Sequence, residues 1–250
     1  MKPVRYVMMV FCLLVMGGCA ANGQFDMGKA VVIGAGALQA TMLDEESVKQ
    51  ASELSARELD NQQTVAPADS PYAVRLVRLT RGLTGYDGLT LNFKVYLSDQ
   101  VNAFAMADGT VRVYSGLMDL MPDDQVLAVI GHEIGHVKLK HSYQQMRSAL
   151  MTSVAFEAVS SIGGTIGALS ASQLGDLART AISARFSQAD ELESDAFAVK
   201  MLHRMNKDPY AMKRSIETLQ KQGGSGGGFL SSHPSNQQRV DAIQAAIRNL

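Results

Sequence analysis

Gly131-His-Glu-Ile-Gly-His-Val137 is the stretch on which the reading of this chain turns. It lies in a run that takes up helical periodicity from Pro122 onward. Asp123 and Asp124 stand at its start and Lys138 and Lys140 near its end, charges that complement a helix dipole. Histidines at i and i+4 rise about 6 Å along a helix axis and fall on one face. His132 and His136 therefore read as two corners of a tetrahedral zinc site. Glu133 projects to the neighbouring side, where its carboxylate can take a proton from an activated water and pass it to a leaving nitrogen. Gly131 and Gly135 each cost a helix interior about 1 kcal/mol. Their presence beside the histidines implies that something approaches this helix closely.

A catalytic zinc wants a third protein ligand and one open position. His141, His203 and His233 are candidates, and the cluster Asp190-Glu191-Leu-Glu193-Ser-Asp195 is a richer source. It falls on a helix expected from about Ser187 to Met205, where Glu191 and Asp195 share a face. One of the two can ligate while the other orients a ligand histidine. The spacing alone leaves that assignment open.

The His-Glu-x-x-His helix followed by Glu191-xxx-Asp195-xx-Ala198 resembles the gluzincin peptidases of the HtpX, Oma and BepA type. The likeness extends to Asn102-Ala-Phe-Ala105, the hairpin through Gly116-Leu-Met118, Phe186-Ser-Gln188 and His233-Pro-Ser235, and so covers about residues 70–250. It implies that Glu191 is the third zinc ligand and that Asp195 supports it. Glu193 receives no role, and Ser194 stands where alanine is more usual. The resemblance also places His233 near the active site, where it would stabilise an oxyanion or occupy the open zinc position. The glycine-rich run from Gly223 to Gly228 ahead of it suggests a movable gate.

Strand signals precede the zinc-binding helix. Leu91 to Leu97 alternates apolar and polar residues, and Val101 to Ala107 and Thr110 to Tyr114 flank Asp108-Gly109, a strong hairpin signal. The strand containing Asn102, Ala103, Phe104 and Ala105 reads as an edge with which an extended substrate pairs. An ordinary core strand is the competing reading. The expected fold is α+β and mostly helical, zincin-like, with the active-site helix beside a small antiparallel sheet. Further helices are expected from Asp44 to Gln63, from about Tyr72 to Leu83 with Arg75, Arg78 and Arg81 on a solvated face, and from Pro209 to Gln222. Ser235 with Gln238 forms a capping box for a last helix. The small-residue stretch 149–171 reads as a buried or plugging segment rather than a membrane span, since Glu157 and many hydroxyl residues interrupt it.

The N-terminus carries a different message. Lys2 and Arg5 precede an apolar run from Tyr6 to Met16 that is too short to span a bilayer but suits a secretory signal. Met16-Gly-Gly-Cys19 resembles a lipobox, which divides the chain into a signal peptide (1–18), a lipid-anchored tether (19–43) and a peptidase domain (44–250). Cys19 would carry lipid and Cys12 would be removed, leaving no disulfide. Ala20 after the cysteine, rather than Asp, resembles the sorting pattern of Gram-negative outer-membrane lipoproteins facing the periplasm. Gly34-Ala-Gly36 is no dinucleotide fingerprint, because Gln39 stands where its third glycine belongs. The net charge of -1 gives no reason to expect nucleic acid.

These readings converge on an endopeptidase with one Zn2+ per chain. Its expected partners are unfolded or extended polypeptides, the membrane through the lipid, and other envelope proteins. A chaperone-like lipoprotein that binds without cleaving, and a zinc hydrolase of non-peptide amides, are the competing functions.

Overall fold

The computed structural model describes residues 43–153, 166–222 and 228–250, and Leu43–Leu250 form one compact unit. The signal, tether and Cys19 readings fall outside the described residues, as do most of the glycine-rich run and 154–165 within the small-residue stretch. None of the described helices is long and apolar enough to cross a membrane.

The unit opens with α1 (Glu45–Gln62), whose N-cap Asp44 accepts from the Ser47 N–H. Val48, Ala51 and Leu59 are buried along its inner side, as the spacing requires. Helix α2 (Pro71–Leu79) is shorter than the spacing suggests, ending at Thr80 before Gly82 (φ 82°). Leu83 is buried nonetheless. The solvated-arginine expectation also needs correcting. Arg75 is half-buried, paired with Asp123 at 2.7 Å and donating to the carbonyls of Met118 and Met121.

Strands β1 (Asn92–Tyr96), β2 (Ala103–Ala105) and β3 (Thr110–Tyr114) form a sheet in the order β1-β3-β2. The hairpin is present: β2 runs antiparallel to β3, with Phe104 opposite Arg112. The sheet is mixed rather than antiparallel, however, because β1 joins the far side of β3 in parallel register, Asn92 opposite Thr110 and Tyr96 opposite Tyr114. Alternation marks a strand's faces but carries no information about its direction. Gly109 (φ 90°) closes the hairpin, and a Cβ there would stand 1.9 Å from the Thr90 carbonyl oxygen as the chain enters β1.

The short α3 (Ser115–Leu120) leads to α4 (Asp123–Lys138), then α5 (His141–Thr152), α6 (Ala171–Ser183), α7 (Gln188–Arg204), α8 (Tyr210–Lys221), the one-turn α9 (Phe229–Ser232) and α10 (Gln237–Arg248). The N-cap of α10 is Asn236, which accepts from the Arg239 N–H, while Ser235 accepts from Gln220 instead. The expected Ser235–Gln238 capping box is thus not formed: the helix starts one residue later on a single Asn236 cap. Within 149–171 the described part comprises the end of α5 and a 3₁₀ turn at Ile166–Ala168, with Ala149, Leu150 and Ile166 buried.

The sheet lies between two helical layers. Val95, Val111, Val113, Ala103 and Ala105 face the larger core shared with α4, α7, α8 and α10. Tyr96 and Phe104 face a second core built by α1, α5 and α6. Helix α4 is therefore held between the sheet and α7, its midsection completely enclosed.

Candidate active site

The glycines of α4 explain how the site is assembled. A Cβ on Gly131 would stand 2.5 Å from Met201 Cε, and one on Gly135 would stand 3.0 Å from Ser194 Cα. Met201 and Ser194 belong to α7, so the close neighbour implied by the glycines is the helix that carries the acidic cluster. That contact sets Glu191 against His132 and His136. Helix α7 is started by a capping box between Ser187 and Asp190, which places Glu191 in its first turn.

His132, His136, Glu191 and His233 present ligand atoms that all lie within 4.8 Å of one another, and all four side chains are buried. His132 Nε2 is 3.0 Å from His136 Nε2 and 3.6 Å from Glu191 Oε2; His136 Nε2 is 3.4 Å from Glu191 Oε1. A tetrahedral zinc with bonds of about 2.0–2.1 Å sets its ligand atoms about 3.3 Å apart. Glu133 Oε1 is buried without a hydrogen-bond partner, whereas Glu191 Oε2 is met by the Arg239 guanidinium. An orphaned carboxylate oxygen is costly in a folded interior unless a cation or water completes it. Donor set, spacing and the orphaned Glu133 oxygen thus all suit zinc.

Each histidine of the pair is oriented from behind. His132 Nδ1 meets Asp195 Oδ1 at 2.9 Å, which turns Nε2 inward. His136 Nδ1 meets His141 Nδ1 at 3.1 Å, and the His136 ring is stacked on Phe186 at 3.7 Å between centroids. His141 in turn sits 3.3 Å from the Ser194 hydroxyl and 3.4 Å from Glu193 Oε2, which gives the unassigned acid a contact. Sequence reasoning missed His141 in this capacity, and it missed Arg239. That side chain, buried at the start of α10, grips Asp195 through two nitrogens at 2.8 and 2.7 Å. His203 stays on the last turn of α7, outside the ligand set.

His233 lies inside the cluster. Its Nδ1 is 2.9 Å from Glu191 Oε1 and 3.2 Å from His132 Nε2, and its Nε2 is 3.6 Å from Glu133 Oε1. Phe229 stacks on its ring at 4.2 Å, with Phe186 at 4.9 Å. Two backbone bonds clip the segment down: Phe229 N–H donates to Val101 O, and Phe186 N–H to Ser232 O.

Strand β2 is the outer strand on the site side, and the Ala105 N–H faces Glu133. Ala103, Phe104 and Ala105 are nevertheless buried, and the Asn102 side chain accepts from the Ala103 N–H. The Phe104 ring joins the second core beside Tyr96 and Tyr114. A narrow cleft runs past Glu133 and His233, lined by Ala105, Met146, Ile182 and Phe186.

Burial pushes the Glu133 carboxyl above its ordinary range, opposed by His233 and His132. Burial also holds His136 well below its usual value, keeping it in the neutral form that ligates metal. Glu191 is the reverse case. Burial works to raise it, but His132, His136 and His233 prevail and hold it far below the carboxylate range.

A His-Glu-x-x-His helix beside a small sheet, completed by a glutamate from a following helix, defines a zincin-like metallopeptidase. Residues 84–247 match peptidase family M48, and the chain belongs to that family. The metalloprotease LoiP of Escherichia coli (strain K12) is 40% identical over 232 residues, 92% of this chain and 91% of its own length. The metalloprotease YcaL of the same organism is 37% identical over the same shares. The β-barrel assembly-enhancing protease of E. coli (strain K12) is 32% identical over 51% of this chain and 28% of its own length. Together with the site these make the chain a metalloendopeptidase and imply a metal, typically zinc.

Proposed function

We propose that this chain is a zinc endopeptidase of the Gram-negative cell envelope, tethered by lipid on Cys19 to the periplasmic face of the outer membrane. Its substrates are unfolded or misassembled envelope proteins. The observation that carries the chemistry is the bare, buried Oε1 of Glu133 beside the His132–His136–Glu191 donor set. His132, His136 and Glu191 would hold one zinc ion. When bound, zinc supplies a Lewis acid that acidifies water and polarises the scissile carbonyl. Glu133 accepts the proton of the attacking water and returns it to the departing amine. Asp195 and His141 hold the imidazoles in the tautomers that face inward.

The lipid anchor and location are supported by the Met16-Gly-Gly-Cys19 motif with Ala20, and by the relative named for enhancing β-barrel assembly. An extended substrate suits β2, whose position at the sheet margin leaves one edge for backbone pairing. His233 acts as a gate. It stands on the position that water and substrate need, and the segment bearing it is clipped to Val101 just ahead of β2. Opening that segment frees both the metal position and the strand.

The test uses casein and the purified zinc-loaded protein. Cleavage is expected, abolished by a chelator and by Glu133→Gln, with zinc content unchanged in the variant. A variant that cleaves at the wild-type rate would remove Glu133 from the mechanism. A wild type that binds extended polypeptides without ever cutting them would favour the chaperone-like reading.

A further inference from the structure

Arg239 is enclosed at 1% exposure, and its guanidinium touches three parts of the site at once. Nε donates to Asp195 Oδ2 at 2.8 Å and Nη2 to Asp195 Oδ1 at 2.7 Å. Nη1 lies in ion-pair contact with Glu191 Oε2 and donates to the Pro234 carbonyl at 3.2 Å. Asp195 Oδ1 is the oxygen that holds His132 Nδ1, Glu191 belongs to the donor set, and Pro234 follows His233 directly. The backbone of Arg239 is fixed as well, since its N–H is bound by the Asn236 cap of α10.

We infer that Arg239 is a positioning residue for the zinc site: its planar fork locks Asp195, Glu191 and the Pro234 carbonyl next to His233 into one arrangement. The inference rests on the zinc-peptidase reading of the site. Glu191 and Asp195 lie on consecutive turns of α7, both buried, and two enclosed carboxylates at that spacing repel unless a cation stands between them. A zinc ion held by Glu191 would offset one of them; among the described residues the guanidinium that reaches the second is that of Arg239, which also meets Glu191 Oε2. Geometry supplies the rest. Engaging both oxygens of Asp195 fixes the plane of that carboxylate, and with it the direction from which Oδ1 meets His132. A guanidinium can bind one carboxylate in two places and still have a donor for Pro234; an ammonium is a point charge and cannot. The same side chain thus joins Asp195, 44 residues upstream of it in sequence, to the backbone beside His233.

Arg239→Lys keeps the charge and most of the stem while removing the fork. The zinc dissociation constant, measured by chelator competition, is expected to rise at least about tenfold, the usual effect of losing a partner behind a metal ligand. On a fluorogenic peptide kcat is expected to fall while KM stays within about twofold, because the residue touches no substrate. In Arg239→Ala, a few millimolar guanidinium is expected to restore zinc affinity in part, leaving the wild type and Glu191→Ala unchanged. A folded Arg239→Lys with zinc affinity within twofold of the wild type would overturn the inference. So would loss of cooperative unfolding in both Arg239 variants, which would assign the residue to the fold alone. A wild type that binds no zinc would instead defeat the reading of the site itself.

Discussion

At the scale of single residues, the position of His233 makes the sharpest claim. Its Nδ1 shares contacts with Glu191 and His132, so the side chain stands where a fourth metal ligand stands. An enzyme open for only a fraction of the time loses apparent affinity by that fraction. His233→Ala should therefore raise kcat/KM on a short peptide, by roughly tenfold if about a tenth of molecules are open. A fall of about a hundredfold would show that the imidazole stabilises an oxyanion instead. Glu191→Ala is the companion test of the ligand set. Metal analysis should find that stoichiometric zinc is lost, and its retention would sink the assignment. His132, His136 and Glu133 were legible because a single helix dictates their geometry: i and i+4 share a face whatever the rest of the chain does. Glu191 needed the resemblance, because spacing alone could not choose between it and Asp195. His141 and Arg239 were not legible. Their partners come from other elements, Ser194 and Asp195 on α7, and no local pattern marks an arginine that will fold against a carboxylate 44 residues upstream.

The helices supply the next scale. Helices α4 and α7 meet at the two glycines, but the two positions differ in what stands opposite. At Gly131 the nearest atom is the tip of a flexible methionine, Met201 Cε; at Gly135 it is the backbone of Ser194 at 3.0 and 3.2 Å. Alanine favours a helix by about 1 kcal/mol over glycine. Gly131→Ala should be near neutral in urea unfolding, since Met201 can swing aside. Gly135→Ala must push α7 itself, at a strain of about 1–3 kcal/mol, and should weaken zinc binding by displacing Glu191. Equal zinc affinity in both variants would show that the helix contact does not set the site. The glycines thus announced a close neighbour without saying which one. Other elements were silent for related reasons. The stretch of α5 intersperses glutamine, serine and threonine among its apolar residues, which blurs a 3.6 period. The pleat of β1 showed its faces but not its direction, so a parallel partner passed as an antiparallel one.

For the whole domain, the question is what holds α1 onto the sheet from the side opposite the catalytic helix. Asp60 answers it. The α1 carboxylate receives Arg112 from β3 through two nitrogens at 2.8 and 2.9 Å, Tyr96 at 2.8 Å and Lys94 at 2.7 Å. Arg112 is almost wholly enclosed, so its charge has no route to water if Asp60 is neutralised. Asp60→Asn should cost about 3 kcal/mol in urea unfolding at neutral pH, the low end for breaking a buried pair, because Lys94 is half exposed and Asp60 keeps a margin in solvent. The sign of the pH dependence follows from the carboxyl. Burial works to raise it, but Arg112 and Lys94 prevail, and the folded-state value lies below the ordinary one. The unfolded chain then binds the proton more readily. The contribution is complete above about pH 4 and drains away as the pH falls through the lower folded value. Wild type and Asp60→Asn should accordingly converge in stability on acidification. A gap that stays constant down to about pH 3 would mean that the asparagine acts through shape rather than charge. Because the clamp stands on the far face of the sheet, the variant should keep its zinc affinity even as its unfolding midpoint drops, separating the stability of the domain from the assembly of its site.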